Sequence, residues 1–510
     1  MIDVLFISPG NTGVIYQDLS KKYTTVEPPT WTLLLAQSCR SHGFSVDLLD
    51  INAEGLSDEE VYDRVQTLNP RLVVFVVYGQ NVNAGTVSMS GAVKTSTFLK
   101  SKNLDCLISF IGSYPQALPK KCLEEEESID FIFTNEGVYA LWTVLSNPVI
   151  DMDSIATCNG VAWRDGPSVV INNPEAIVPQ NRMDLDLPGY AWDLLPYDEK
   201  PFDLYRAPMW HAEYDEENRS PYAALQTSLG CQFKCSFCMI NILNRSDGDE
   251  VGVASNYSGM RFWSPEFIIK EFDKLVELGV KTIKITDEMF LLNKKYYLPL
   301  CNLLASRDYA EDLIMWSYSR IDTVRDPKTL NLLKRAGIRW LALGIESADR
   351  KVRLEVSKGK FEDVDIAEVV DQVHEAGINV MANYIFGLPG DTQESMRATL
   401  DLSKDLCTAG WNAYGAMALP GSELYAEALR EGRDLPNSYE GYSFYGYDTL
   451  PLSNGTLTAA EILKFRDEAF EEYHSHPPYI ELIESSFGSQ AKDNIVNMLK
   501  VKLKRKLLEC

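Results

Sequence analysis

Two stretches of this 510-residue chain alternate short apolar runs with helical periodicity, and that alternation restricts the fold more than any other feature. In the first ~145 residues the runs at 4–8, 44–49, 72–78, 106–111 and 131–134 read as strands, and 31–41, 58–66, 93–100 and 118–126 read as helices. The wholly apolar run at 72–78 suits a strand buried on both faces of a parallel sheet. Strand–helix alternation implies a doubly wound, Rossmann-like sheet. Ligands of such sheets sit at the carboxyl ends of the strands. Here those ends carry Pro9-Gly10-Asn11, Tyr78-Gly79-Gln80-Asn81, Gly112-Ser113-Tyr114 and Asn135-Glu136-Gly137. Neither a G-x-G-x-x-G nor a P-loop accompanies them, so a dinucleotide or nucleoside triphosphate is not indicated.

Residues 146–215 are proline-rich and poor in regular signals, and are expected as a linker. The alternation resumes with strands at 222–227, 282–286, 314–318, 340–345, 380–385 and 413–417, and helices at 265–277, 294–306, 327–335, 362–375, 393–406 and 423–431. Six strand–helix units are too few to close an eight-fold barrel, so 216–431 is expected as an open, partial barrel. Residues 432–510 read as an aromatic-rich and then helical segment, with the basic run at 500–506 as a solvated helix end.

Composition narrows the function. With 48 Lys+Arg against 73 Asp+Glu the net charge is −25, which opposes gripping a phosphate backbone and makes nucleic acid an unlikely partner. The start of the chain has an acid at Asp3 and no basic leader, and the apolar run at 72–78 is far too short to span a bilayer. A cytoplasmic protein with no membrane insertion is expected. Its ten cysteines are then thiols. Cys39, Cys106, Cys122, Cys158, Cys301, Cys407 and Cys510 are scattered and read as packing or exposed residues.

Cys231, Cys235 and Cys238 are different. They form C-x3-C-x2-C directly after a predicted strand. Three thiolates on one short loop suit three irons of a cubic cluster, whose fourth iron stays open to a ligand. Structural zinc wants four closed ligands, and the nearest histidine, His211, lies twenty residues upstream.

With Phe237 before the last cysteine, the loop resembles the signature of the radical S-adenosylmethionine (SAM) enzymes. The resemblance continues in order along the chain. Thr286-Asp287-Glu288 is similar to the family's acidic segment for the SAM amino group, and Ser319-Arg320-Ile321-Asp322 to its segment near the SAM carboxylate. Gly344-Ile345-Glu346-Ser347 is similar to G-x-E-S, Gly387-Leu388-Pro389-Gly390-Asp391-Thr392 to G-x-P-G-[DE]-T, and Pro420-Gly421-Ser422 to P-G-[ST]. The resemblance implies a [4Fe-4S] cluster on Cys231, Cys235 and Cys238. It implies SAM held by Phe237, Asp287, Glu288, Arg320, Glu346, Ser347, Gly387 and Leu388.

Residues 1–145 resemble the cobalamin-binding domain that precedes the barrel in the class B radical SAM methyltransferases, through Pro28-Pro29-Thr30-Trp31, Gly112-Ser113-Tyr114-Pro115 and Asn135-Glu136-Gly137. This implies cobalamin near Pro9, Gly10, Asn11, Tyr78, Gly79, Gln80, Gly112, Ser113, Tyr114, Asn135, Glu136 and Gly137. The histidine motif D-x-H-x-x-G is absent, so the cobalt would take no axial histidine from it. The implied activity is C-methylation of an unactivated carbon through a 5′-deoxyadenosyl radical and methylcobalamin, on a small-molecule or peptide substrate, with flavodoxin or ferredoxin as electron donor. The alternatives are a cobalamin-binding radical SAM oxidoreductase or cyclase without methyl transfer, and a non-enzymatic cobalamin or iron–sulfur sensor.

Overall fold

The computed structural model describes all residues except 80, 81, 196, 198–203, 208–220, 241, 243–258, 325, 358–362 and 510. The first sheet contains β1 (Ile2–Ser8), β2 (Val46–Asp50), β3 (Pro70–Val77), β4 (Leu107–Gly112), β5 (Phe131–Phe133), β6 (Val161–Asp165) and β7 (Ser168–Ile171). Their order is β2-β1-β3-β4-β5-β6-β7. The first five are parallel, β6 pairs antiparallel with β5, and β7 pairs antiparallel with β6. The chain leaves β1 in one direction to form β2, then crosses back to form β3. The connections after β1 and β3 therefore diverge, which opens a crevice at their carboxyl ends.

Burial explains the sheet. Val4–Ile7 and Leu72–Phe75 have no exposed surface, and Leu33-Leu34-Leu35-Ala36 of helix Thr30–Ser41 is equally buried. Two departures from the sequence reading are instructive. The hairpin β6–β7 lies inside the stretch expected as a linker and extends the sheet beyond β5. Its strands are short and half exposed, so they give little apolar periodicity. The helix expected at 93–100 begins at Gly85. Its first two turns, Gly85-Thr86-Val87-Ser88-Met89-Ser90-Gly91, hold two glycines, two serines and a threonine, which weaken both helix propensity and apolar periodicity.

The second sheet is built from β8 (Tyr222–Leu225), β11 (Thr282–Ile285), β12 (Ile314–Arg320), β13 (Ile338–Glu346), β14 (Asn379–Phe386) and β15 (Gly410–Gly415), with a two-strand ribbon of β9 (Ser228–Leu229) and β10 (Arg261–Phe262) beside it. All six run parallel in the order β15-β14-β13-β12-β11-β8, an open half-barrel. Helices Pro265–Glu277, Pro327–Arg335 and Gln393–Leu406 begin where the sequence places them. Ser264, Asp326 and Thr392 cap them, and proline stands at the start of the first two.

The basic run at 500–506 is not a helix end. The last long helix stops at Met498, and the chain continues as an irregular strap. Arg505 is buried there, pairing with Asp467 at 2.8 Å and donating to the carbonyls of Gly446 (2.8 Å) and Phe444 (3.0 Å). A charge buried with a partner and carbonyl acceptors holds a strap that has no apolar face. Among the described residues no helix is long and apolar enough to cross a membrane.

The two sheets meet through buried ion pairs. Arg261 of β10 grips Glu136, which follows β5, at 2.6 Å, with side chains 3% and 0% exposed. Lys284 of β11 pairs with Glu27 of the N-terminal half at 2.6 Å, and its ammonium lies 5.0 and 5.2 Å from the Trp316 and Tyr318 ring centres. Removing one partner of such a pair strands a buried charge. Arg261→Met is expected to destabilise the protein by about 3–5 kcal/mol in guanidinium unfolding followed by circular dichroism. The double variant Arg261→Met/Glu136→Leu should lose less than the two single variants together, because no charge is left unpaired.

Candidate active site

The cysteine loop leaves β9 through Gly230 and carries no regular structure of its own. Its stem is fixed by Asp287, whose carboxylate accepts from Thr227 N (2.6 Å), Thr227 Oγ1 (2.7 Å) and Ser228 Oγ (2.6 Å). Its middle is tied by backbone: Ser236 N donates to Val356 O at 3.0 Å, and Leu424 N to Ser236 O at 2.9 Å. Its end is held from the other sheet, where Asn83 Nδ2 donates to Cys238 Sγ at 3.6 Å and Asn83 Oδ1 accepts from Met239 N at 3.1 Å. Phe233 N donates to Cys231 Sγ at 3.4 Å.

The loop is enclosed. Burial pushes the Cys231 thiol well above its ordinary range, Cys235 up to about 12 and Cys238 up to about 11, with neighbouring thiols and acids adding to the effect. Thiols so placed ionise only with a cation to balance them. Three residues expected at a SAM site converge here. Arg320, the last residue of β12, lies 3.8 Å over the Phe233 ring, forms a two-pronged pair with Asp322 (2.5 and 2.6 Å), and sits near enough to Cys235 to pull its thiol down against burial. Glu288 sits near enough to Cys231 and Cys238 to raise both, and Glu346 does the same for Cys235 and Cys238.

The two acids differ in their surroundings. Glu288 Oε2 is buried and has no hydrogen-bond partner among the described residues. Burial, helped by Asp287, pushes the Glu288 carboxyl up to about 8. Burial pushes Glu346 up to about 7 against the opposing pull of Arg320. Glu346 ends β13 at a bulge with φ +66°, a strained value for a residue with a side chain. Gly344 leaves room for the Glu346 carboxylate: a Cβ there would lie 2.6 Å from Glu346 Oε1.

The remaining expected residues make contacts within the protein. Asp287 is committed to the loop stem. Ser347 Oγ accepts from Asp349 N at 3.1 Å and lies 3.2 Å from Thr399 Oγ1. Gly387 N donates to Asp391 Oδ2 at 3.0 Å, so that motif builds a turn. Leu388 packs with Val352, Val356 and Ala416 in a small apolar group, and Phe237 lies against it.

At the other sheet, the expected cobalamin residues line the carboxyl ends of β1, β3, β4 and β5. Pro9-Gly10-Asn11 lies under helix Gly85–Ser101, where a Cβ on Gly91 would come within 2.7 Å of Gly10 O. Tyr78 stacks on Trp31 at 4.5 Å and accepts from Gln116, which also donates to Asn135 O at 2.6 Å. Gly79 turns with φ +66° and Gly137 with φ +78°. Gly112 ends β4, Ser113 Oγ donates to Val82 O at 2.9 Å, and Tyr114 meets Tyr439 edge-on at 5.1 Å. Glu136 is committed to Arg261 by its side chain. Gln80 lies outside the described residues. Sequence reasoning missed Asn83, Arg261, Glu27 and Lys284. Nothing local marks them, because each takes its meaning from a partner in the other half of the chain.

The donors fit the implied groups. Among the described residues no three His, Cys, Asp or Glu side chains gather on one ion-sized point. A cube asks for something else: one thiolate at each of three separate corners, with the fourth iron open. Two half-buried carboxyls with raised proton affinity suit a cationic ligand, as the ammonium and sulfonium of SAM provide. At the first sheet, Thr86 Oγ1 beside the crevice is buried without a partner among the described residues, a polar atom left for a ligand.

The raised carboxyls set a pH dependence. Folded Glu288 and Glu346 hold protons up to about 8 and about 7, above their ordinary 4.5. The folded state therefore binds more protons than the unfolded state across that window, and stability falls as pH rises through it. In the ligand-free protein, Glu346→Gln and Glu288→Gln are expected to lessen the drop in thermal midpoint between about pH 5 and 8 seen by calorimetry. An unchanged slope would sink this reading.

Comparison with known proteins agrees with this geometry. Residues 17–145 match the B12 binding domain, and 225–403 match the Radical SAM superfamily. The chain is 24% identical over 454 residues to the uncharacterized methyltransferase PH0819 of Pyrococcus horikoshii, covering 89% of both chains. It is 24% identical over 497 residues to the anaerobic magnesium-protoporphyrin IX monomethyl ester cyclase of Rubrivivax gelatinosus, covering 92% of this chain and 78% of that one. Its fold matches the radical S-adenosylmethionine methyltransferase TsrM of Kitasatospora setae, solved with cobalamin and a [4Fe-4S] cluster bound, with TM-score 0.64 and 16% identity over 98% of this chain and 99% of that one. With both domains matched in the same order, the chain belongs to the radical SAM enzymes that carry an N-terminal B12-binding domain.

Proposed function

We propose that this chain is a cobalamin-dependent radical SAM methyltransferase acting on an unactivated carbon. The observation that carries the proposal is that the carboxyl ends of the two sheets abut. Asn83 after β3 bonds Cys238 after β8, and a Cβ on Gly421 after β15 would lie 3.2 Å from Ala117 after β4. The two expected cofactor sites therefore face each other. When bound, the cluster supplies an electron to SAM, and cobalamin carries the methyl group.

The chain's own residues orient and shield. Cys231, Cys235 and Cys238 ligate three irons. Glu288 and Glu346 take the cationic end of SAM, and their loss of bound protons accompanies it. Arg320, fixed by Asp322 and Phe233, steers the SAM carboxylate. The crevice between β1 and β3 would hold cobalamin, with no histidine supplied by a D-x-H-x-x-G motif. The substrate is a small molecule or peptide, reduced flavodoxin or ferredoxin is the electron donor, and the site of action is the cytoplasm.

A second reading, cyclisation or oxidation without methyl transfer, is favoured by the resemblance to the Rubrivivax cyclase over 92% of this chain. Incubation with reductant and methyl-labelled SAM separates the readings, because label in a product favours transfer and its absence alongside 5′-deoxyadenosine favours the second. Cys235→Ala is expected to abolish both the cluster absorbance and 5′-deoxyadenosine release. Cleavage of SAM surviving that change overturns both readings, and a wild-type protein that binds a cluster yet never cleaves SAM is a sensor.

A further inference from the structure

Asn83 lies on the single helical turn Val82–Ala84 after β3, on the cobalamin side of the molecule. Its amide reaches across to the cysteine loop with both ends. Oδ1 accepts from Met239 N at 3.1 Å, and Nδ2 donates to Cys238 Sγ at 3.6 Å. The first bond fixes the orientation of the amide: with its oxygen on a backbone N–H, its NH2 must face the sulfur. The turn that carries it is itself held, since Ser113 Oγ donates to Val82 O at 2.9 Å. Ser113 stands at the carboxyl end of β4 beside the same crevice. One short chain of bonds therefore runs from the cobalamin side to a cluster ligand.

Resting on the cluster and cobalamin assignments above, we infer that Asn83 is a positioning residue that fixes the third cluster sulfur and raises the cluster's reduction potential. Reduction adds negative charge that the thiolate sulfurs share. An N–H aimed at one of them stabilises the reduced form more than the oxidised form. A residue that only packed would hold the loop without moving the potential.

The test is an EPR-monitored redox titration of the reconstituted full-length protein and two variants. Asn83→Asp keeps the shape and the acceptor for Met239 N but loses the donor. Asn83→Leu keeps the volume, is neutral and loses both bonds. Each variant is expected to assemble a cluster that is at least about tenfold harder to reduce, which for a one-electron couple is a fall of about 59 mV. A Leu variant that titrates at the wild-type potential overturns the inference. If the Leu variant holds no cluster, an Asp variant at the wild-type potential overturns it equally. Iron and sulfide content separates the two kinds of failure. A wild-type protein that takes up neither overturns the cluster assignment, whereas a loaded one with unmoved variants overturns only the role of Asn83.

Discussion

Everything at the centre of this molecule depends on one irregular loop being held still from three directions. The loop of Cys231, Cys235 and Cys238 has neither helix nor strand to stiffen it. Asp287 fixes its entry, the backbones of Val356 and Leu424 fix its middle, and Asn83 fixes its exit. The grip of Glu136 on Arg261 adds a fourth restraint, because Arg261 pairs with Leu229 two residues before Cys231. Two of these four restraints come from the other sheet. The N-terminal half is therefore part of the wall of the cysteine site as well as a separate binding unit.

Neighbouring acids at the end of β11 divide the work. Asp287 has every oxygen satisfied by Thr227 and Ser228, and serves folding. Glu288, the next residue, has an oxygen with no partner among the described residues and a raised proton affinity. A buried carboxyl in that state is costly until a cation reaches it. Glu346 shares the raised proton affinity, against the pull of Arg320, and also bears backbone strain. The two costs sit together beside the cysteines, as expected where a site keeps its binding energy for a ligand.

Much of this was legible in the sequence, for reasons that differ by element. The half-barrel was readable because six apolar strand runs alternate with helical periodicity between 222 and 431. The cysteine loop was readable because three thiols at that spacing have few other uses. Motif membership did not reveal which way a side chain turns. Glu136 and Asp287 stand in the expected segments, yet one meets Arg261 across 125 residues of chain and the other meets the loop stem. A carboxylate facing a ligand and one facing a backbone amide look alike in a sequence. The hairpin β6–β7 and the strap of Arg505 escaped for another reason. Each is short, and each is held by partners far away in the chain rather than by its own periodicity.

The abutting carboxyl ends also bear on rate. Two reactants on separate carriers would have to find one another by diffusion. Here Asn83 and Cys238, and Ala117 and Gly421, set the separation of the two sites before any ligand arrives. The encounter thus becomes intramolecular, and well-oriented intramolecular reactions reach effective molarities of about 10⁵–10⁸ M. With SAM and cobalamin held at those two sites, a short-lived radical would face its methyl donor at a concentration that no solution could supply.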